Sequence, residues 1–124
     1  MGIVDKFEEN EKMIFGPKEL PSKFEASKSY TKKFLEKYNI ATAEYGEFDD
    51  EKSAYEFAEK LLTRDGKVVL KADGLAAGKG VFIAEDKSHA QSFLKDVFSG
   101  VYGDKKVVVE EFLEGFEMSL ICLT

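Results

Sequence analysis

Hydrophobic residues recur at helical spacing in three long segments of this chain. In the first, Tyr30, Phe34 and Tyr38 fall four residues apart, while charged residues fill the opposite face. Two later segments, beginning at Ala54 and Ala90, repeat one pattern in which apolar residues stand at i, i+3, i+4, i+7 and i+8. The spacing predicts three amphipathic helices.

Polar residues and glycine mark where these helices begin and end. Either Asp49 or Asp50 is positioned to cap the second helix, and either Asp86 or Ser88 the third. The second helix should end at the segment 64–66, which closes on a glycine.

The N-terminal part carries weaker signals. Apolar residues within 3–7, set among charges, predict a short amphipathic helix. The apolar run Met13–Phe15 predicts a short strand that stops at the Gly16–Pro17 turn, and Pro21 marks a second break.

Five further segments have the composition of β-strands: 42–48, 67–71, 81–84, a run opening at 107–109, and 118–124. A glycine-rich loop joins the second strand to the third, and it is too short for a helical crossover between parallel strands. We therefore predict an α+β fold with a mixed or antiparallel sheet and helices packed on one face. A short helix and strand should precede it.

Composition narrows the class of protein, its cellular location and its possible partners. The 124 residues are 44% hydrophobic and 34% charged, and no apolar run reaches the roughly 20 residues that span a bilayer. One cysteine and one histidine exclude an internal disulfide and make a histidine-rich metal site unexpected, so we expect a cytoplasmic protein. The net charge of −6 disfavours binding to nucleic acid or an anionic membrane.

Positive charge is nevertheless concentrated around the glycine-rich loop, Lys71–Gly80. Its glycines and small alanines let the backbone approach a ligand, and lysines at both ends can neutralise phosphate oxygens. It is not a Walker A loop, because only three residues separate Gly74 from Gly78, and Gly80 follows Lys79. A lid over phosphates and a plain hairpin with solvated lysines both fit, although the loop is longer than a hairpin requires.

A second segment, 107–117, runs from an apolar strand into adjacent acids. Its backbone can face an adenine edge, with Phe112 and Leu113 against the ring and Glu117 accepting hydrogen bonds from ribose hydroxyls. Acidic residues at the end of a strand are more often simply solvated, and that alternative remains open.

Four segments together carry a family resemblance. They are FGP (15–17), EASKSYTKKFLEKYNIATAEY (25–45), VVLKADGLAAGKGVFIA (68–84) and VVVEEFLEGFEMSLICLT (107–124). In order and spacing they resemble the phosphoribosylamine–glycine ligases (glycinamide ribonucleotide synthetases) of the ATP-grasp superfamily. The resemblance implies that this is the nucleotide-binding small lobe of such a ligase.

The resemblance also implies a reaction, its cofactors and its partners. ATP, glycine and 5-phosphoribosylamine give ADP, phosphate and glycinamide ribonucleotide through an acyl phosphate, with Mg²⁺ as cofactor. The enzyme must screen the transferring phosphoryl group and exclude water from the acyl phosphate. Nucleic acid and membrane are not expected partners.

The family's nucleotide-binding positions are matched by residues of this chain, which we list by expected role. Phosphates are expected to contact Lys28, Lys71 and the loop that includes Gly74, Gly78, Lys79 and Gly80. Adenine is expected to contact, largely through backbone, Glu110, Glu111, Phe112 and Leu113, and ribose is expected to contact Glu117. No catalytic or metal-binding residue is expected within this stretch.

The resemblance further implies a domain division. Residues 1–18 match the tail of a preceding domain, and residues 19–124 match the first part of an ATP-grasp domain, with the nucleotide-binding lobe at about 40–115. The family continues past this stretch into a lobe carrying the magnesium ligands, so we expect a truncated chain that is inactive alone. Two alternatives are another ATP-grasp ligase, acting on a different purine intermediate or on biotin, and a stand-alone nucleotide-binding module without catalysis.

Overall fold

A computed structural model describes residues 2–73, 80–103 and 105–122. The elements in chain order are α1 Ile3–Glu9, α2 Glu19–Ala26, α3 Lys28–Lys37, β1 Tyr45–Phe48, α4 Glu51–Asp65, β2 Val68–Ala72, β3 Val81–Ala84, α5 Lys87–Ser99 and β4 Val107–Glu111. The four strands form one sheet in the order β1-β4-β2-β3, and every neighbouring pair is antiparallel. The predicted α+β class is confirmed, and the sheet is antiparallel rather than mixed.

One face of the sheet packs against α4 and α5. Alternate residues of β2 and β4, such as Leu70 and Val109, are fully buried there with Ala58, Leu61 and Leu94 of the two helices. The period-2 alternation of a strand sends the intervening residues to the opposite side. The predicted helix packing on one face is thus formed by α4 and α5.

The opposite side of the sheet is called the second face below. The strand register places on it Tyr45, Glu47, Val69, Lys71, Val81, Ile83, Val108 and Glu110. Lys32 and Lys33 of α3 reach the β1 and β4 part of this face. On β3, by contrast, Val81 and Ile83 remain 50% and 47% exposed.

The structure decides between the alternative helix caps. The carboxylate of Asp50 accepts a hydrogen bond from the backbone N–H of Ser53 at 2.8 Å, and Asp86 accepts one from His89 at the same distance. Each satisfies one of the N–H groups that have no partner in the first turn of a helix. Gly66 ends α4 at φ 75°, a left-handed conformation that favours glycine.

The N-terminal part differs from prediction in two ways. Helix α1 forms as expected, but Met13–Phe15 is irregular rather than a strand, and Met13 is fully exposed. A strand requires a hydrogen-bonded partner, which an apolar run does not supply by itself. Pro21 does not break the chain: it lies in the first turn of α2, where the missing N–H costs nothing.

The predicted strand at 118–124 is also absent over its described part. Residues 118–122 are irregular, and Met118, Leu120 and Ile121 are largely exposed, while residues 123 and 124 lie outside the described part. This segment is apolar, as its sequence indicates, but no described strand pairs with it. No helix in the described part of the chain is long and apolar enough to cross a membrane.

Candidate functional site

Lys71 and Glu110 lie together on the second face. In the β2–β4 ladder Glu110 pairs with Val69 and Lys71 pairs with Val108, so the two side chains emerge on neighbouring strands. The ammonium nitrogen of Lys71 lies 2.9 Å from Oε1 of Glu110. Two residues from separate sequence segments, one expected to contact phosphate and one adenine, thus form an ion pair in the structure.

A second lysine holds the other oxygen of Glu110. Lys32 Nζ, from α3, lies 2.9 Å from Oε2 of Glu110 and 2.7 Å from the hydroxyl of Thr42, and it stands 5.1 Å from the centre of the Tyr45 ring. The side chains of Lys32 and Glu110 are only 9% and 6% exposed. Sequence reasoning missed Lys32. The available signal was its position four residues after Lys28, on the same side of α3.

One oxygen of the Glu110 carboxylate has an ionic partner but no hydrogen bond from the described residues. Its Oε1 is buried, and no described residue gives it a hydrogen bond of good geometry, despite the short distance to Lys71. A buried oxygen of this kind normally has a hydrogen-bond partner, and when it lacks one a ligand is a natural candidate. Two lysines around one carboxylate also leave a net positive charge at this point.

Lys28 joins this cluster through a shared cavity of about 140 Å³. The lining residues come from α2, α3, β2 and β4: Phe24, Lys28, Thr31, Lys32, Leu35, Lys71 and Glu110. Three residues that are far apart in sequence, Lys28, Lys71 and Glu110, therefore meet at one place. We call this place the lysine cavity.

Cavity size alone would not select this site. A cavity of about 410 Å³ lies at the ends of the strands and includes Ser27, Lys33, Asp73 and Lys106, and one of about 380 Å³ lies between α4 and α5. We assign the site to the lysine cavity because it gathers positive charge and a buried acceptor beside an exposed apolar strip formed by Val81 and Ile83.

The two ends of the glycine-rich loop are held close together. The N–H of Ala72 donates to the carbonyl of Gly80 at 2.7 Å, and the N–H of Asp73 donates to the carbonyl of Lys106 at 3.0 Å. Gly80 is buried and lies near the strand that carries Lys71. Three predicted phosphate contacts, Gly74, Gly78 and Lys79, lie outside the described residues.

Asp73, which sequence reasoning did not single out, ties this loop to α3. Its buried carboxylate accepts hydrogen bonds from the N–H groups of Lys28 at 2.9 Å and Ser29 at 3.5 Å, and from the hydroxyl of Ser27 at 3.4 Å. The only sequence signal was an acid directly after a strand. Its partner 45 residues earlier could not be read from the pattern.

The remaining predicted residues lie around the end of β4. The Glu111 carboxylate is directed away from the lysine cavity: it accepts from the N–H of Glu44 at 2.9 Å and pairs with Arg64 at 3.1 Å. Phe112 is half-buried with Lys67 Nζ 5.4 Å from its ring centre. Leu113 and Glu117 are exposed, and neither lines the lysine cavity.

Metal binding has no support from the described residues. Within residues 2–73, 80–103 and 105–122, no group of three or more His, Cys, Asp or Glu is arranged to hold an ion. The acids near the site are engaged by lysines, Arg64 or backbone N–H groups instead.

Comparison with known proteins then identifies the family. The model of the phosphoribosylglycinamide synthetase ATP-grasp (A) domain matches residues 26–124. The chain belongs to this family. Among curated relatives of this ATP-grasp A domain, the phosphoribosylamine–glycine ligase of Clostridium acetobutylicum is 45% identical over 128 aligned residues, covering 99% of this chain and 30% of the relative. That of Lactococcus lactis is 45% identical over 119 residues, covering 96% and 28%.

Solved structures agree with this ATP-grasp assignment. The phosphoribosylamine–glycine ligase of Thermotoga maritima is 35% identical with a TM-score of 0.74, over 82% of this chain and 26% of that one. The D-alanyl-alanine synthetase A of Vibrio cholerae also reaches 0.74, over 90% of this chain and 33% of that one, at 16% identity, which shows a shared fold alone. The chain spans about 30% of the length of the curated relatives it matches.

Proposed function

We propose that this chain is the ATP-binding lobe of a phosphoribosylamine–glycine ligase. The observation that carries the proposal is that Lys28, Lys71 and Glu110 line one cavity. This cavity lies near the two ends of the glycine-rich loop, which a backbone hydrogen bond joins. These are the positions at which the family resemblance expects nucleotide. Their convergence was not available from the sequence.

The phosphates are proposed to lie along Lys28 and Lys71, with the glycine-rich loop over them. Both lysines line the cavity, and Gly80 brings the loop back to the strand that carries Lys71. Charge-assisted hydrogen bonds from lysine to phosphate oxygens are stronger than neutral ones. Lys71 would then exchange part of its contact with Glu110 for the phosphates, while Lys32 continues to neutralise that carboxylate.

The base is proposed to lie on the second face. The buried Oε1 of Glu110, which has an ionic contact with Lys71 but no hydrogen bond of good geometry from a described residue, suits an exocyclic amino donor. Val81 and Ile83 offer an apolar surface that is half exposed. Backbone groups of Glu111–Leu113 would meet the edge of the adenine. Ribose binding by Glu117 remains part of the proposal, supported by the family resemblance.

The reaction of the whole ligase would use this lobe to position ATP for phosphorylation of the glycine carboxylate, before phosphoribosylamine attacks the acyl phosphate. Mg²⁺ would neutralise charge on the phosphates when bound; we propose that its ligands lie outside the described residues, which hold no suitable cluster. The division into a tail at 1–18 and an ATP-grasp domain from 19 onward is part of the same proposal.

The test is titration calorimetry of the chain with ATP and Mg²⁺. Lys71→Ala should weaken binding by at least about tenfold, because a lysine–phosphate contact contributes about 1.5–3 kcal/mol. The matched control is Lys52→Ala, which removes the same charge from the cavity between α4 and α5 and should leave the affinity unchanged. Equal affinities for the Lys71→Ala variant and the unmodified chain would refute the proposal.

A further inference from the structure

Helix α3 begins near the end of the strand that carries Lys71, and the side chain of Asp73 connects the two. Asp73 stands two residues after Lys71, where β2 has just ended and the glycine-rich loop begins. Its carboxylate accepts from the N–H of Lys28 at 2.9 Å and from the N–H of Ser29 at 3.5 Å. These are the first two residues of α3.

The start of α3 is therefore capped twice. Ser27 is the local cap, since its hydroxyl oxygen accepts from the N–H of Tyr30 at 3.2 Å. The same hydroxyl donates to Asp73, with 3.4 Å to each carboxylate oxygen. At α4 and α5 the capping aspartate is the residue directly before the helix. Helix α2 also uses an aspartate from another element, since the N–H of Glu19 donates to Asp5 of α1 at 2.8 Å, but that contact is exposed whereas Asp73 is buried.

This placement matters because Lys28 is the residue whose backbone Asp73 holds. A fixed N–H of Lys28 fixes the Cα from which its side chain enters the lysine cavity. Asp73 itself is held from the other side, because its own N–H donates to Lys106 at 3.0 Å. The carboxylate thus links the backbone at Lys28, on α3, to the end of β2, the strand that carries Lys71.

From electrostatics alone, an aspartate is unexpected at this position. A carboxylate beside a site for phosphates repels the ligand, and Asp73 is buried, where charge is weakly screened. If its contribution were only electrostatic, its removal would strengthen nucleotide binding. A geometric role predicts the opposite sign, so the sign of the effect separates the two.

We propose that Asp73 is a positioning residue that places Lys28 relative to Lys71 for contact with nucleotide phosphates. The inference rests on the proposed function and adds to it a residue that touches neither the base nor the phosphates. Asp73 acts through the backbone of α3.

The test measures Mg-ATP affinity by calorimetry for Asp73→Ala and Asp73→Asn. Asp73→Ala should weaken binding about tenfold, since the N–H groups of Lys28 and Ser29 lose their charged acceptor. Asp73→Asn keeps an oxygen that can accept from Lys28 and should recover most of that loss. Adenosine, which lacks phosphates, should bind all three forms with equal affinity in an NMR titration.

Two further variants separate positioning from general stability. Asp86→Ala removes the equivalent cap of α5, away from the site, and should lower the melting temperature without changing ATP affinity. In a Lys28→Ala background, adding Asp73→Ala should change ATP affinity by less than about threefold, because residues that act through one another are not additive.

The outcomes are distinguishable. Unchanged or tighter ATP binding by a folded Asp73→Ala variant overturns this inference while leaving the proposed function in place. Equal losses for ATP and adenosine, or full additivity with Lys28→Ala, also overturn it, because the effect would not run through the phosphate contact. No ATP binding by the unmodified chain would contradict the proposed function and this inference with it.

Discussion

Glu110 is the residue on which most of the site depends. It is one of three buried charged residues in the described part of the chain, and the other two are Lys32 and Asp73. Lys32 and Glu110 pair with each other, and Asp73 caps α3. A buried charge persists only where partners offset its desolvation, so these residues are fixed more firmly than the surface lysines around them.

The pairing of Lys32 with Glu110 gives a stability prediction. Lys32→Met keeps most of the side-chain volume but removes the charge, so Glu110 loses one of its two cationic partners. We expect the free energy of unfolding, measured by urea denaturation, to fall by about 3 kcal/mol, as when one partner of a buried pair is removed.

Lys33→Met is the matched control for that experiment. Lys33 is the neighbouring residue and also pairs with a carboxylate, Glu47, but its side chain is 67% exposed. An exposed pair of this kind contributes little because water screens it. Losses of similar size in the two variants would contradict the view that burial of the Lys32–Glu110 pair makes it important.

At the scale of elements, local pattern predicted most of the fold. Helices α4 and α5, their caps and the strands β2 and β3 follow from apolar spacing and turn residues, which act within a few positions. The two wrong strands, Met13–Phe15 and the described part of 118–124, had the right composition. A strand needs a partner as well, and composition carries no information about one.

The helix caps predict how stability depends on acidity. The backbone hydrogen bond from Ser53 lowers the pKa of Asp50, and hydrogen bonds from the Ser88 hydroxyl and the His89 N–H lower the pKa of Asp86, each from 3.8. Because the pKa of each aspartate is lower in the folded than in the unfolded state, the contribution of each cap to folding stability is complete above about pH 4. It is lost as the pH falls further. Melting temperature should therefore drop in this acidic range.

A double variant isolates the two caps. Asparagine caps a helix about as well as aspartate but does not titrate in this range. Thermal melts of Asp50→Asn with Asp86→Asn should show a shallower loss of melting temperature between about pH 4 and pH 2 than the unmodified chain. An unchanged slope would mean that other groups control the acid transition.

For the whole molecule, the site is less predictable than the fold because it joins distant elements. Lys28, Lys71 and Glu110 were found through family resemblance, since each lies within a recognisable segment. Lys32, which lines the lysine cavity, and Asp73, which caps α3, were missed although both are buried, because their importance comes from partners on other elements. Sequence spacing indicates which residues share one face of a helix or strand. It does not show which faces meet.

The central claim is that nucleotide lies on the second face of the sheet, at the lysine cavity. The most direct test is a ¹H–¹⁵N NMR titration of the chain with ATP and Mg²⁺. We expect the largest amide shifts at Val69, Lys71, Val81 and Glu110, with little change at Gln91 in the cavity between α4 and α5. Largest shifts at that second cavity, with β2 and β4 unchanged, would contradict the account.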